Sequence, residues 1–159
     1  MSRRLFARDY AVAIAGLCGA LVFGALVLEF AVEGMDPCAL CLMQRQWFLI
    51  AGLLAYAGLA HNPRWGIYPL LTITAALAGG AFAVRQLWLM SLPADRVPAC
   101  IDLDRLFEFG MFSDVLAAMV SGTGDCAQEP PFLGIPVPLW SLAGFAAVLV
   151  AAALQWRAR

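Results

Sequence analysis

Five cysteines lie in this 159-residue chain, at positions 18, 38, 41, 100 and 126. Cys38 and Cys41 form a C-x-x-C, a spacing common in thiol–disulfide exchange and a poor choice for a structural staple. Asp36-Pro37-Cys38 reads as a helix start, with Asp36 as N-cap and Pro37 at the first helical position. Both sulfurs would then sit at the positive end of a helix dipole, which favours thiolates. Arg45 follows Cys41 by one helical turn, on the same face. A guanidinium there can stabilise a thiolate, or the oxyanion of a molecule reduced beside it. Cys100 and Cys126 could be a second exchanging pair or a purely structural clamp. Zinc is a weaker alternative. Four cysteines can bind it, but one C-x-x-C plus two widely separated thiols is not paired-knuckle spacing, so no metal site is assigned. Cys18, between Leu17 and Gly19, reads as a core filler.

The elements that carry these residues follow from composition. The chain is 63% hydrophobic and 13% charged, against about 45–50% and about 25% in soluble domains. Too few charges remain to wet a globular surface. All 10 basic residues are Arg and the net charge is −1, so there is no basic field for nucleic acid. Length allows one domain, and residues 1–159 read as a single all-α membrane domain.

A membrane helix needs about 20 mostly apolar residues. Ala11 to Leu28 is free of charge. Trp47 to Ala60 reaches spanning length if its helix opens near Cys38 or Cys41. Trp65 to Leu92 is interrupted only by Arg85, and Ile135 to Trp156 is apolar throughout. The expected fold is a four-transmembrane-helix bundle, with helices at about 10–29, 38–60, 65–91 and 135–156. The first stretch could instead be a cleaved signal peptide. Its apolar run exceeds the roughly 7–15 residues of a signal core, and no clear small-x-small site precedes Glu29. Two small-residue stripes, Gly16/Ala20/Gly24 and Ala75/Gly79/Ala83, predict faces where helices approach closely.

Four crossings put both termini on one side, with Arg3, Arg4, Arg8, Arg64, Arg157 and Arg159. The opposite side, with loops about 30–37 and 93–134, holds only Arg96 and Arg105, with all the acids except Asp9 once Glu29, at the outer end of the first helix, is counted with it. The positive-inside rule makes the Arg-rich side cytoplasmic. Four of the five thiols then face a compartment where disulfides persist. Two local pairs, one per loop, is the simple connectivity, although four cysteines allow three. Within the long loop, Leu103, Leu106, Phe107, Met111, Val115, Met119 and Val120 approximate a helical stripe, with Gly110 as a break. One or two short helices are expected there, lying on the membrane surface or packed on the bundle.

An ionisable residue below the mouth of a membrane helix is a functional-site hypothesis by default; the alternative for Arg45 is snorkelling to headgroups. Arg85 lies roughly 30 Å along the third helix at 1.5 Å per residue. That also brings it near the outer face, where snorkelling is the simpler reading. A dithiol pair at the membrane mouth beside a buried cation suggests electron flow between aqueous thiols and a lipid-soluble two-electron acceptor, a quinone.

The chain resembles the bacterial disulfide bond formation protein B (DsbB) family over most of its length. The resemblance rests on P-C-A-L-C-L-M-Q-R at 37–45, A-V-R-Q-L-W-L at 83–89 and V-P-A-C ending at Cys100. It continues through S-G-T-G-D-C ending at Cys126, F-L-G-I-P at 132–136 and Trp140. It implies a four-helix bundle in the bacterial inner membrane, with both termini cytoplasmic and the active cysteines facing the periplasm. It further implies a thiol oxidoreductase that reoxidises a DsbA-like periplasmic thioredoxin-fold protein and passes electrons to ubiquinone, or menaquinone. On that pattern Cys100 carries the mixed disulfide with the partner and Cys126 exchanges with Cys38. Cys41 is left as the thiolate that reduces the quinone, with Arg45 beside the quinone headgroup. The stretch after Arg85, Gln86-Leu87-Trp88-Leu89-Met90, has no His, so a third-helix His contact to quinone does not carry over. Glu129-Pro130-Pro131 could stiffen the approach to the fourth helix. Two rivals stand beside this reading. A tetraspan structural or adhesion protein would explain the outer cysteines but not Arg45. A reductase of the vitamin K epoxide type would carry its C-x-x-C late in the catalytic domain rather than opening helix 2.

Overall fold

Each long apolar stretch folds as one helix, because a backbone in hydrocarbon must satisfy its polar groups internally. The computed structural model describes residues 2–31, 37–62, 65–100, 108, 110–128 and 130–158. The long helices are α1 (Ser2–Ala31), α2 (Ala39–His61), α3 (Ile67–Met90) and α5 (Val137–Arg157); α4 (Phe112–Ser121) is a short helix between α3 and α5. The four long helices are long and apolar enough to cross a membrane. α1 packs on α2 and α5, and α3 packs on α2 and α5, closing a four-membered ring. The fold is all-helical among the described residues.

The interior is built from small residues and one aromatic pair. Ala7, Ala11, Ile14, Cys18, Ala51, Ala55, Ala75, Ala76, Ala83, Val148 and Ala152 are buried. Phe48 of α2 and Phe145 of α5 stack across the middle of the ring, with centroids 3.8 Å apart and planes 1° from parallel. The stack fits because Gly79 of α3 lies under the Phe145 ring, where any Cβ would collide with it. Bulky apolar side chains point outward instead: Phe23, Leu53, Tyr56, Leu77 and Val150 are all exposed. An Ala-rich inside and a Leu/Phe-rich outside suit helices packed by close approach in lipid.

One of the two small-residue stripes behaves as expected. Ala75, Gly79 and Ala83 are buried against neighbours. The α1 stripe does not: Gly16 and Ala20 are exposed and nothing lies within 4 Å of a Cβ built on Gly16 or Gly24. α1 buries the face carrying Ala7, Ala11, Ile14 and Cys18, leaving Ala20 and Gly24 as the thin wall of a cavity. Cys18 sits in the core against Gly52, a packing role.

The start of α2 also differs from the expectation. Cys38, not Asp36, is the N-cap: its backbone is extended and its sulfur accepts a hydrogen bond from the Cys41 N–H. Pro37 is outside the helix, and Asp36 lies outside the described residues. The cap requires an acceptor about three residues before the orphan N–H, and the thiol is in place for it. In the long loop, Gly110 takes a left-handed conformation with φ +68° just before α4. Leu103, Arg105, Leu106 and Phe107 lie outside the described residues, as does Glu129. α4 packs on α2; it buries Val115 and Ala118, while Phe112, Leu116 and Val120 are exposed along one face.

Candidate redox site at the outer end of the bundle

The N-terminus of α2 brings its two cysteines together. The Cys38 and Cys41 sulfurs are in hydrogen-bond contact, 3.2 Å apart, and the Cys41 N–H donates to Cys38 Sγ at 3.4 Å. All five cysteines are free thiols in the structure. Cys38, Ala39, Leu40, Cys41, Leu89 and Cys126 form one buried cluster. Cys126 arrives on a short 3-10 turn, Gly124–Ala127, which rests on α3 and α2. Cys126, distant in sequence, and the C-x-x-C thus meet at a single three-sulfur site. The cross-loop contact is between Cys126 and Cys38.

The electrostatics of that contact are asymmetric. Cys126 is pulled down to about 6, first by the hydrogen bond from Cys38, against the effect of burial, and then by the Leu40 and Thr123 backbone and the Thr123 hydroxyl. Cys38 is pushed up, because it hydrogen-bonds to Cys126 and to Cys41 and is buried. The stable arrangement is a Cys126 thiolate accepting from a Cys38 thiol. Such a thiolate is both a competent nucleophile and a good leaving group.

Cys100 is exposed, unlike the other four cysteines. Its segment is fastened to the Cys126 turn by the Gly124 N–H donating to the Ala99 carbonyl at 3.2 Å. Gly124 is required here. A Cβ would strike the Pro98 carbonyl oxygen and come 3.0 Å from Cys100 Sγ. The hydrogen bond to Asp125 raises the pKa of Cys100. One of the two loop sulfurs is therefore accessible, and the other is buried beside α2.

α3 supplies an amide that the sequence did not flag. Gln86 is fully buried. Its Nε2 donates to Cys41 Sγ at 3.2 Å and to Cys38 Sγ at 3.4 Å, and its Oε1 accepts from Gln44 Nε2 at 2.7 Å. A buried amide without partners costs about 1–3 kcal/mol, so a glutamine inside an apolar span is itself a signal. Gln44 and Gln86, each in such a span, could have been picked out on that ground.

α1 engages the guanidinium of Arg45. Nη1 is paired with the Glu29 carboxylate and Nη2 donates to the Ala25 carbonyl at 3.4 Å. The acid at the end of the first apolar stretch is thus the ion-pair partner, a long-range contact that spacing could not reveal. Arg45 also lines a cavity of about 470 Å³ between α1, α2 and α5, with Gly24, Cys41, Gln44, Phe132 and Trp140. Among the described lining residues none comes from α3. Leu133 (φ +53°) and Gly134 (φ +77°) make the tight turn that pairs Phe132 with Ile135, and Trp140 Nε1 donates to the Phe132 carbonyl at 3.4 Å. That turn sets Phe132 at the cavity.

Arg85 does not snorkel freely. Its Nε and Nη2 donate to the Ser121 carbonyl at 3.2 and 3.0 Å, and its guanidinium lies 5.0 Å from the Trp88 ring centroid. It caps the C-terminus of α4, where unpaired carbonyls and the negative dipole end attract a cation.

This arrangement has parallels of known name. Residues 7–155 match the family model for disulfide bond formation protein DsbB. A disulfide bond formation protein B of Hahella chejuensis is 43% identical over 150 residues, covering 91% of this chain and 88% of the relative. One of Marinobacter nauticus is 44% identical over 139 residues, covering 84% and 82%. Disulfide bond formation protein B 1 of Pseudomonas aeruginosa is 39% identical over 147 residues, covering 89% and 90%. No solved structure matches the chain. With its family match spanning all four long helices and the three-sulfur cluster, the chain belongs to the DsbB family of disulfide bond formation proteins.

Proposed function

We propose that this chain reoxidises a DsbA-like periplasmic thioredoxin-fold thiol oxidase and delivers the electrons to a quinone, supporting disulfide formation in exported proteins. The observation that carries the reading is the gradient of access across the four thiols. Cys100 is exposed, Cys126 and Cys38 are buried in contact, and Cys41 lines the apolar cavity.

The steps follow from that gradient. A thiolate of the reduced partner attacks Cys100 Sγ in a Cys100–Cys126 disulfide. The new bond joins partner and Cys100, and the electron pair of the broken bond leaves on Cys126. Departure in this sense is favoured because the Leu40 and Thr123 backbone and the Thr123 hydroxyl stabilise a Cys126 thiolate even while Cys38 is held in its disulfide, whereas Asp125 makes Cys100 the poorer leaving group. The partner's second thiolate then attacks its own sulfur and releases Cys100. Cys126 attacks Cys38 in a Cys38–Cys41 disulfide, forming Cys126–Cys38 and leaving the electron pair on Cys41.

The cavity suits a quinone by its own chemistry. Its volume of about 470 Å³ and walls of Ala, Gly, Leu and Val fit an apolar ring, and Cys41, Gln44 and Arg45 supply the polar edge. A bound quinone supplies the two-electron acceptor. Arg45, held by Glu29 and Ala25, presents a fixed positive charge to that edge. The cavity shares Cys41 with the three-sulfur site, and the Arg asymmetry supports a periplasmic placement of that end in the bacterial inner membrane.

The test is oxidation of a reduced thioredoxin-fold dithiol protein by the purified chain, with ubiquinone and then menaquinone. Catalytic oxidation that requires the quinone is expected. Stoichiometric disulfides that neither the partner reduces nor quinone restores would return the chain to the structural tetraspan reading.

A further inference from the structure

We propose that Gln86, oriented by Gln44, is the catalytic side chain that stabilises negative charge on Cys41 when the Cys38–Cys41 disulfide opens. This inference rests on the exchange sequence just given and assigns a role to residues that sequence left unassigned.

The geometry is specific. The Gln86 amide nitrogen is placed between the two sulfurs, 3.2 Å from Cys41 and 3.4 Å from Cys38. An amide can present either its oxygen or its nitrogen, and here Gln44 decides which. Its Nε2–H donates to Gln86 Oε1 at 2.7 Å, which leaves the Gln86 NH2 group for the sulfurs; the same oxygen accepts from the Cys41 thiol at 3.5 Å, a longer contact that is lost when Cys41 is a thiolate. Gln44 stands one turn below Cys41 on α2 and lines the cavity, so the anchor and the sulfur move as one element. Cys38 is already served by the Cys41 N–H at the helix start; the Gln86 amide is what α3 adds on the Cys41 side.

The chemistry favours one redox state over the other. When Cys126 thiolate attacks Cys38, the Cys126–Cys38 bond forms and the Cys38–Cys41 bond breaks. Cys41 keeps the electron pair, and no proton or outside reductant is needed. A disulfide sulfur is a weak acceptor, whereas a thiolate is a strong one, so the N–H···S bonds strengthen as the bond opens. Full burial of Gln86 keeps water from competing for that donor. Arg45, by contrast, is paired with Glu29 and Ala25 on α1, and its charge serves the cavity edge.

The experiment isolates the α2 pair. In the full chain carrying Cys18→Ala, Cys100→Ala and Cys126→Ala, the Cys38–Cys41 couple is equilibrated with graded mixtures of reduced and oxidised dithiothreitol. The dithiol fraction is then trapped by alkylation. Gln86→Leu should lower the equilibrium constant for reduction about tenfold, about 30 mV for a two-electron couple. Gln86→Asn, whose shorter amide cannot reach, and Gln44→Leu, which frees the amide to turn, should shift it in the same direction. They decide the question if Gln86→Leu does not fold. An unchanged equilibrium in the variants that keep the helical signal overturns the proposal. So does a larger shift from Arg45→Met than from any of the three. The measurement uses neither quinone nor partner protein, so its failure is distinguishable from failure of the proposed quinone-linked turnover.

Discussion

On the proposed reading, Cys126, Cys100 and Arg45 set the direction in which electrons move. In the fully reduced chain, Cys126 should alkylate with a midpoint near its pKa of about 6. Cys38→Ala removes the donor that stabilises the Cys126 thiolate in the reduced chain, so the midpoint should move up; a midpoint that stays put would show that Cys38 is not that donor. Asp125→Asn acts in the opposite sense on Cys100. The carboxylate that disfavours the Cys100 thiolate is gone, so alkylation of Cys100 at neutral pH should quicken. On the proposed reading, Arg45→Met should cut quinone-dependent turnover by about 10²–10³, or weaken apparent quinone affinity in part instead. Arg45→Lys keeps the charge but cannot fork to both Glu29 and Ala25, and should fall between. Unchanged quinone kinetics in folded Arg45→Met would leave Arg45 as a structural partner of Glu29.

At the scale of elements, the site is a junction of two devices. The start of α2 uses a cysteine as its own N-cap, which holds the C-x-x-C rigid. The segment from α4 to the 3-10 turn carries Cys126 onto that helix end, tied down by Arg85 on the Ser121 carbonyl. Gly124 lets the Cys100 segment lie against the turn. Gly124→Ala should displace that segment at a local cost of about 1–3 kcal/mol. Partner-driven oxidation should slow while the α2 dithiol couple keeps its equilibrium, as stopped-flow exchange and redox titration would report. Gly79→Ala places its methyl in the Phe145 ring and should lower the unfolding temperature of the whole bundle in detergent. A folded, equally stable Gly79→Ala would mean that the Phe48–Phe145 stack can shift at little cost.

The whole molecule is a ring of four helices with a small-residue interior and its thiol chemistry gathered at one end. The Arg placement in the sequence predicts an orientation in the membrane with Cys100 on the outside. Impermeant thiol reagents applied to intact spheroplasts should label a single-cysteine Cys100 chain at once. Labelling only after the inner membrane is opened would invert the topology. Cys18, buried among Gly52 and the α1–α2 core, should be replaceable by Ala with little loss of turnover. A loss matching that of Cys41→Ser would place it in the redox path.

Much of this was legible without coordinates, for identifiable reasons. Span length is a one-dimensional property that hydrocarbon thickness reads directly, and the four long helices fall where it put them. The C-x-x-C and Arg45 are local to one helix, so spacing alone puts them on a common face. What the tertiary structure decided are the contacts between elements. Cys126 meets Cys38, Glu29 pairs with Arg45, Arg85 caps α4, and Gln86 reaches the sulfurs from α3. It also decided which small-residue stripe is an interface, since Gly79 accommodates Phe145 while Gly16 meets nothing within 4 Å. A periodic stripe says that a face is smooth; only the packed neighbour says whether it is used. Rotation of each helix about its axis is set by which side chains interdigitate across the ring. That choice is made jointly by all four helices and is written in no single stretch of sequence.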